Sequence, residues 1–348
     1  MKNFNNLKVF LKEYLIVYSS PILGDFVIFL DLCKKYKEAS GYDSYIILKK
    51  TNKTLADIAE GYPFVKVIAL DSFFDSIKLI KVVIFSIFIK NTYFIKSYNL
   101  TQKPKLKAVL FIVNNFTKSL IYTRFLAINK LEINSNFTEV NNNFVSYMIG
   151  RSIVFESSLN YSKELNDNFL NDYGTKKNDY MCLVLGASNI RRMISPNDWN
   201  KIISLLIKKH PNKKLILLGA GSSTEVKCLK EINDLIKFDY INLMGSISIQ
   251  RAINILSLSY LIIGPNTGLT LLAYMLKNVK TIIFSEKLEG NLFYNLKSKN
   301  CKFIENSNLC PCDKESKNNS YCCLSDINIF DEFKKSFHEL FPAIVITK

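Results

Sequence analysis

The chain has 348 residues, of which 48% are hydrophobic and 22% charged, and these proportions exclude intrinsic disorder over most of its length. Its 46 basic residues outnumber the 30 acidic ones by 16, but the excess is spread along the chain. A nucleic-acid binder typically concentrates its basic charge in one stripe or arm, so no nucleic-acid partner is expected. The length predicts two domains.

Two further features of the sequence narrow the choice of function: histidine is scarce, and lysines interrupt the most apolar stretch. Only two histidines occur, His210 and His338, and both are predicted to be surface residues. This argues against a histidine metal site and against a Ser-His-Asp triad. The most apolar stretch, Leu79 to Ile95, is interrupted by Lys81 and Lys90, whereas a membrane-spanning helix needs about twenty largely uncharged residues. We therefore expect a cytoplasmic protein, whose basic charge would suit peripheral contact with the anionic inner membrane surface.

The N-terminal part alternates between apolar runs and helical patterns. Tyr14–Tyr18 is a continuous apolar run, as in a buried parallel strand, and a loop containing Gly24 and Asp25 follows it. The next predicted elements are a helix at 26–39, a strand at 44–48, a helix at 54–60 and a strand at 65–70. This order predicts an α/β domain with a parallel sheet and helices on both faces, over residues 1–165. Periodicity does not separate strand from helix over residues 72–170, apart from a helix at 141–152.

A second alternating block begins after a polar linker at 157–179. Its predicted strands are 180–185, 214–218, 241–243, 260–263 and 281–284, and its predicted helices are 198–209, 223–236, 248–257 and 269–275. The block predicts a second doubly wound, Rossmann-like domain over residues 176–325, followed by a helical C-terminal piece, 326–348, that packs back. Two such domains imply a cleft between them, with the ligand at the carboxyl ends of the strands.

Two turns of the second block favour binding of an anion. The segment Gly264–Thr270 follows a strand and opens a helix, where free backbone N–H groups attract negative charge, although a plain tight turn would look the same. The turn Gly186–Arg192 ends in Arg191 and Arg192, although the whole chain has only five arginines. Because guanidinium suits bidentate contact with phosphate, this turn is a phosphate-binding candidate rather than only a solvated loop.

Two carboxylates follow glycine turns at other strand ends. Asp25 comes after the first strand, where a carboxylate can take a proton from an acceptor hydroxyl, or can simply cap the helix. Glu225 follows the Gly219-Ala220-Gly221 turn, where it can accept from a ribose hydroxyl or simply favour the helix dipole. From the residues alone, both alternatives stay open for Glu225, and capping is favoured for Asp25.

The chain has eight cysteines, and five of them lie between residues 301 and 323. Cys310 and Cys312 are separated by one residue, and nine residues separate Cys312 from the adjacent pair Cys322 and Cys323. This spacing differs from the C-x₂-C pairs of a zinc ribbon, so a metal site is not favoured. Neither a metal ion nor a cofactor is expected.

Together, these segments resemble glycosyltransferase family nine, the ADP-heptose:lipopolysaccharide heptosyltransferases and their relatives. Four features carry the resemblance: the strand and Gly-Asp pair of Tyr14–Asp25, the Gly186-Ala187-Ser188 turn with Arg192 and Trp199, the segment Leu215–Glu225, and the segment from Asn242 to Gly268. The resemblance covers roughly residues 13–70 and 180–285 and is most specific in the second block.

The resemblance implies a GT-B fold with two Rossmann-like domains facing a cleft. It also implies metal-independent inverting transfer of a heptose or related sugar from a nucleotide-diphosphate donor to a lipopolysaccharide core, another glycolipid or an oligosaccharide acceptor. By the same resemblance Asp25 falls on the general base, Arg192 on the cation that binds the diphosphate, and Glu225 on a nucleoside contact. The phosphate-contacting or donor-contacting positions are Ser188, Asn266, Thr267 and Gly268.

Three departures from the family pattern keep other functions open. Asn266 stands where the family usually has Asp, Leu271 stands where many members have His, and Ile194-Ser195 replaces a Trp-Pro pair. An amide in place of a carboxylate removes a negative charge near the donor. The identity of the donor is therefore not assigned from the sequence. The alternatives are a non-catalytic sugar-nucleotide-binding protein and a nucleotide-sugar epimerase of the same fold. The retained Asp25 and the cation at position 192 favour activity.

Overall fold

A computed structural model of the chain describes residues 14–18, 23–49, 53–70, 92–96, 137–149, 151–155, 159, 168–187, 189–276, 278–285, 299–305, 324 and 328–342. The chain divides into two compact units, Met1–Lys163 and Glu164–Lys348. Ser188 and the four cysteines 310, 312, 322 and 323 lie outside the described residues. In the part of the chain that is described, no helix combines the length and the apolar character needed to cross a membrane.

The first unit contains a parallel four-stranded sheet in the order β3-β2-β1-β4. Its elements are β1 (Tyr14–Tyr18), α1 (Leu23–Ser40), β2 (Ser44–Lys49), α2 (Lys53–Ala59), β3 (Val65–Leu70), β4 (Thr92–Lys96) and α3 (Phe137–Ile149). Helix α1 buries an apolar face that includes Phe26, Leu30 and Cys33. The predicted alternation of strand and helix is therefore present in this unit.

Helix α1 begins earlier than the sequence pattern predicts. The sequence predicted a loop up to Asp25, whereas the helix starts at Leu23 and includes both Gly24 and Asp25 in its first turn. An acidic residue is favoured in the first turn of a helix because the helix dipole is positive there, so Asp25 suits this position. Asp25 still follows the carboxyl end of β1.

The second unit contains a parallel six-stranded sheet in the order β10-β9-β8-β5-β6-β7. Its elements are α4 (Asn168–Asn171), β5 (Tyr180–Val184), a 3₁₀ turn (Ile190–Arg192), α5 (Pro196–Lys209), β6 (Lys214–Leu218), α6 (Ser223–Leu235), β7 (Tyr240–Asn242), α7 (Ile249–Leu258), β8 (Leu261–Pro265), α8 (Gly268–Met275), β9 (Lys280–Ser285), β10 (Cys301–Glu305) and α9 (Ile329–Leu340). Strands β5 and β8 are buried along their whole length, which is why they read as continuous apolar runs.

Two elements of this unit were absent from the sequence prediction. Strand β10, Cys301–Glu305, is an edge strand in which only Cys301 and Ile304 are buried, so it has no continuous apolar run. Helix α4, Asn168–Asn171, is a single turn within the segment predicted to be a linker. Its Leu170 is buried and belongs to the core that includes Tyr180 and Cys182 of β5.

The C-terminal helix α9 packs against α5, β9 and β10 of its own unit. Phe333, Phe337 and Leu340 are buried at this contact and belong to the same core as Trp199, which is fully buried on α5. Lys280 donates to the carbonyl of Leu340 at 2.7 Å, which satisfies one carbonyl of the last helical turn.

His210 is not the plain surface residue that the sequence predicted. It caps the C-terminus of α5, and its ring lies among those of Tyr260, Phe337 and Phe341 at centroid distances of 5.1, 5.6 and 5.9 Å. Burial lowers the pKa of His210, and the charges of Lys213 and Lys209 lower it further. Its Nε2 is buried without a hydrogen-bond partner among the described residues. The aromatic cluster therefore favours the neutral imidazole.

The burial of His210 among aromatic rings predicts that the second unit is less stable at acidic pH. Because the pKa of His210 is lower in the folded state, its contribution to stability is fully present above the unfolded pKa of about 6.5 and declines as the pH falls below that value. We expect urea unfolding, followed by the fluorescence of Trp199, to show lower stability at pH 5 than at pH 7, and His210→Phe to reduce that difference. His338→Phe is the control on α9, and an unchanged pH dependence in His210→Phe would contradict the assignment.

Candidate functional site

The order of the strands places three glycine-containing turns side by side in the second unit. The chain runs outward from β5 through β6 to β7, and then returns to place β8, β9 and β10 on the other side of β5. The reversal creates a topological switch point between β5 and β8, where doubly wound sheets form their ligand crevice. The turns after β8 and β5 flank that point, and the turn after β6 lies next to them.

The turn after β8 is held by a reciprocal cap at the start of α8. The Thr267 hydroxyl accepts from the amide of Thr270 at 3.4 Å, and the Thr270 hydroxyl accepts from the amide of Thr267 at 2.9 Å. The amide of Asn266 donates to the carbonyl of Phe284 on β9 at 2.8 Å. The cap leaves the first amides of α8, those of Gly268 and Leu269, at the positive end of the helix dipole. This end of α8 is chemically suited to an anion.

Gly264 allows this turn to approach the neighbouring strand. A Cβ at Gly264 would lie 2.7 Å from the Cβ and 2.8 Å from the carbonyl oxygen of Val184 on β5, and 3.1 Å from the Cγ2 of Thr270. The fully buried Thr270 hydroxyl is also 2.8 Å from the carbonyl oxygen of Pro265, to which it can donate. The close packing at this glycine brings the start of α8 against the end of β5.

The turn after β5 presents its two arginines from a short 3₁₀ segment. Asn189 caps that segment by accepting from the amide of Arg191 at 3.1 Å, and the amide of Arg192 donates to the carbonyl of Asn189 at 3.0 Å. Both arginines are half-buried, and the next two residues, Met193 and Ile194, are fully buried. The arginines therefore stand on a segment that is anchored directly behind them.

The departure at Ile194-Ser195 has a local structural explanation. Ile194 fills the core beneath the arginine turn, and the Ser195 hydroxyl caps α5 by accepting from the amide of Asp198 at 3.2 Å. Pro196 follows at the first position of the helix, which favours proline. The sequence S-P-x-D indicates such a start, so this cap could have been predicted from the residues.

Glu225 is a buried capping residue in this structure. Its carboxylate accepts from the amide of Ser222 at 2.7 Å and from the amide of Ala220 at 3.2 Å, and the Ser222 hydroxyl accepts from the amide of Glu225 at 3.3 Å. The residue is 4% exposed. These contacts establish the capping alternative, and the nucleoside contact remains a prediction.

The Glu225 carboxylate also explains why two positions of the neighbouring turns are glycine. A Cβ at Gly186 would lie 1.8 Å from Glu225 Oε1, and a Cβ at Gly219 would lie 2.3 Å from the same oxygen. The carboxylate therefore occupies the space beside both glycines and joins the turns after β5 and β6. The sequence alone did not predict the contact with Gly186, because Gly186 and Glu225 are far apart in the chain.

A second glycine contact joins the turns after β6 and β7. Gly221 and Gly245 have φ angles of +70° and +68°, which residues with a Cβ rarely adopt. A Cβ at Gly245 would lie 2.9 Å from the carbonyl oxygen of Ala220, and the amide of Gly245 donates to the carbonyl of Gly219 at 3.0 Å. The edge of the candidate site is therefore built from backbone packed on backbone.

Asp25 lies at the corresponding position of the first unit. The chain there runs from β1 through β2 to β3 and then places β4 on the other side of β1, so the switch point lies between β1 and β4. Helix α1, which follows β1, contains Asp25 in its first turn. The structure thus brings Arg192, Glu225 and Asn266–Gly268 onto adjacent turns of the second unit, and it places Asp25 at a strand end of the first.

The described residues contain no cluster of three or more histidine, cysteine, aspartate or glutamate side chains able to hold a metal ion. The side chain of Asp25 and the whole of Ser188 are not among the described parts. Ser188 and the base role of Asp25 therefore remain predictions from the sequence.

Comparisons with known proteins support the resemblance seen in the sequence. Residues 151–311 match the family model described as Glycosyltransferase family 9 (heptosyltransferase). No curated protein matches the chain by sequence. The matched range contains the turns after β5, β6, β7 and β8, so it covers the whole candidate site of the second unit.

Solved structures resemble nearly the whole chain. Escherichia coli heptosyltransferase WaaC with ADP is 15% identical with a TM-score of 0.64, over 94% of this chain and 100% of that one. A family 9 glycosyltransferase from Veillonella parvula DSM 2008 is 13% identical with a TM-score of 0.69, over 95% and 97%. E. coli ADP-heptose lipopolysaccharide heptosyltransferase II is 12% identical with a TM-score of 0.63, over 96% and 100%. These matches confirm the predicted GT-B fold with Rossmann-like parallel sheets.

Proposed function

We propose that the chain, whose residues 151–311 match the model of glycosyltransferase family 9, is a divergent member of that family and transfers a heptose or related sugar from a nucleotide-diphosphate donor. The acceptor would be a lipopolysaccharide or lipooligosaccharide core or another surface glycan. One observation carries the proposal: the family segment places the start of α8 and the arginine turn on either side of the switch point between β5 and β8. A positive helix end and a guanidinium beside it match the charge of a diphosphate.

Donor binding is assigned to the second unit. The diphosphate would lie between Arg192 and the amides at the start of α8, with Thr267, Gly268 and Ser188 as further donors and Asn266 beside them. Glu225 holds the turn after β6, which would border the nucleoside. Support for a nucleotide comes from the solved relatives, since the structure of WaaC contains ADP and another contains ADP-2-deoxy-2-fluoro heptose.

The chemical step is assigned to groups of the chain without a metal ion. As the bond between sugar and diphosphate breaks, the sugar gains oxocarbenium character and the leaving diphosphate gains negative charge. Arg192 and the positive end of α8 would stabilise that charge. Asp25 would accept the proton of the attacking hydroxyl, which reaches the anomeric carbon from the face opposite the diphosphate and so inverts its configuration. We place the reaction in the cytoplasm, at the inner membrane surface where a glycolipid acceptor is presented.

A nucleotide-release assay tests the proposal. The protein is incubated with ADP-heptose and, in parallel, with UDP- and GDP-sugars, each with and without a lipooligosaccharide core preparation. Acceptor-dependent release of the nucleotide, with sugar found on the core by mass spectrometry, is the expected result. Binding of ADP-heptose without release would instead identify a non-catalytic sugar-nucleotide-binding protein. Release of UDP or GDP in place of ADP would identify the corresponding nucleotide sugar as the donor.

Arg192 provides a separate test of donor binding. We expect Arg192→Ala to weaken ADP binding about tenfold to a hundredfold, which corresponds to the loss of one charge-assisted contact of roughly 1.5–3 kcal/mol. Arg192→Lys should lose less, because the charge remains. Isothermal titration calorimetry with ADP measures the change, and Arg251→Ala, an exposed arginine on α7, is the matched control. Equal affinity of Arg192→Ala and the control would remove Arg192 from the site.

A further inference from the structure

Helix α3 contains three consecutive asparagines in its interior, and two of them are buried. Asn141 is fully buried and Asn142 is 7% exposed, whereas Asn143 is exposed. Asparagine disfavours helix interiors because its side chain competes for backbone hydrogen bonds. A buried amide is also costly unless both its donor and its acceptor are satisfied. Two such residues in succession therefore require specific partners.

Asn141 binds a buried ion pair on helix α1. Its Nδ2 donates to Asp31 Oδ2 at 2.7 Å and to the carbonyl of Ile28 at 3.2 Å. Lys35 Nζ lies 2.8 Å from the same Asp31 oxygen, and the Asp31 and Lys35 side chains are 0% and 1% exposed. Burial lowers the pKa of Lys35, while Asp31 opposes that shift. The ion pair lies within α1, so α3 is joined to it by the two hydrogen bonds that the Asn141 amide donates.

Asn142 binds the chain segment that follows α3. Its Oδ1 accepts from the amide of Phe155 at 3.1 Å, and its Nδ2 donates to the carbonyl of Phe155 at 2.9 Å, so one side chain satisfies both backbone groups. The Ser146 hydroxyl accepts from the amide of Ile153 at 2.8 Å. Arg151 donates to the carbonyl of Ala39, in the last turn of α1, at 2.8 Å. Residues 151–155 are thus attached to both helices.

The two sets of contacts meet on adjacent residues of one helix. Residues 151–155 belong to the first unit and lie a few residues before the division between the units, which follows Lys163. Helix α1 contains Asp25 six residues before Asp31, which is about 9 Å along a helix. Residues 151–155 and the helix that contains Asp25 are therefore both hydrogen-bonded to α3.

We propose that Asn141 and Asn142 are positioning residues for sugar transfer, which link the helix containing Asp25 to residues 151–155, the segment that precedes the second unit in the chain. This inference rests on the proposed base role of Asp25. Asn141 donates a hydrogen bond to the Asp31–Lys35 ion pair of α1. Asn142 is hydrogen-bonded to both backbone groups of Phe155 in the segment 151–155. Neither residue touches the reacting atoms, so the pair acts on the rate of transfer and leaves binding of the donor unchanged.

Steady-state kinetics with ADP-heptose and a lipooligosaccharide core preparation test this role. Asn141→Ala and Asn142→Ala are expected to lower kcat about tenfold and to leave the KM for ADP-heptose and the affinity for ADP within about twofold. Asn143→Ala, the exposed neighbour on the same helix, is the control and should match the wild type. The swap Asp31→Asn with Asn141→Asp keeps one carboxylate and one amide in the buried cluster, and should restore kcat relative to Asp31→Asn alone. Folded variants with a lower melting temperature and normal kcat would show a purely structural role and overturn the proposal.

Hydrogen exchange of the full chain provides a readout that does not depend on turnover. In Asn142→Ala, amides of α1 between residues 23 and 40 should exchange faster, although the hydrogen bonds of the Asn142 side chain go to Phe155. The amides of β5 and β6 should exchange as in the wild type. If α1 exchanges equally in Asn142→Ala and Asn143→Ala, the link is absent and the proposal fails. If the wild-type protein is inactive with ADP-heptose, that compound is not its donor, and the exchange of α1 still decides whether the link exists.

Discussion

Asp25→Ala is expected to reduce sugar transfer by about three orders of magnitude and to leave the affinity for ADP unchanged. The reason is that a general base typically contributes about 10² to 10⁴ to the rate, while the proposed nucleotide site lies in the other unit. Asp25→Asn should have a similar effect, because it keeps the size of the side chain and removes its ability to accept the proton.

Kinetic assays with saturating ADP-heptose and core acceptor, together with calorimetry of ADP binding, measure both parts of this prediction. Glu38→Gln is the control, since Glu38 is an exposed carboxylate on the same helix whose pairing with Lys34 is a surface ion pair. Near-normal turnover in Asp25→Ala would show that another group accepts the proton. Loss of ADP binding in that variant would show that the residue has a different role.

Gly186→Ala is expected to lower the free energy of unfolding of the second unit by about 2–3 kcal/mol, because a Cβ there would occupy the position of the buried Glu225 carboxylate. Glu225→Ala should cost about 1–3 kcal/mol, since it removes the buried carboxylate that accepts from the amides of Ala220 and Ser222. The double variant should lose clearly less than the sum, because the added methyl group then enters the space that the carboxylate leaves.

Denaturant unfolding followed by tryptophan fluorescence measures this cycle. Trp199 is the single tryptophan and is fully buried in the second unit, so its signal reports on that unit. Glu231→Ala, which removes a carboxylate from the same helix where it pairs with Lys227 at the surface, is the control and should change stability by less than about 1 kcal/mol. Additive losses in the double variant would show that Gly186 and Glu225 do not interact as the structure indicates.

Much of the candidate site could be predicted from local pattern. Asn266–Gly268 follows a fully apolar run and opens a helix, and this combination identifies a turn at the carboxyl end of a buried strand. Arg192 stood out because arginine is rare in a chain that is rich in lysine. By contrast, the start of α1 was predicted three residues late, because Gly24 and Asp25 have the composition of a turn even though they form helix here.

The sequence by itself determined the α/β alternation, the presence of two Rossmann-like units and the turns that carry the candidate site, because buried parallel strands and amphipathic helices impose periods that can be read along the chain. Only the tertiary structure decided which turns are neighbours. The order that places β8 beside β5 brings Asn266–Gly268 to the switch point next to the arginine turn, although roughly eighty residues separate them. The contact of Glu225 with Gly186, the aromatic cluster around His210 and the polar link through Asn141 were decided in the same way. The physical reason is that periodicity records whether a residue is buried, whereas the partner it meets there depends on the order of strands and the packing of helices.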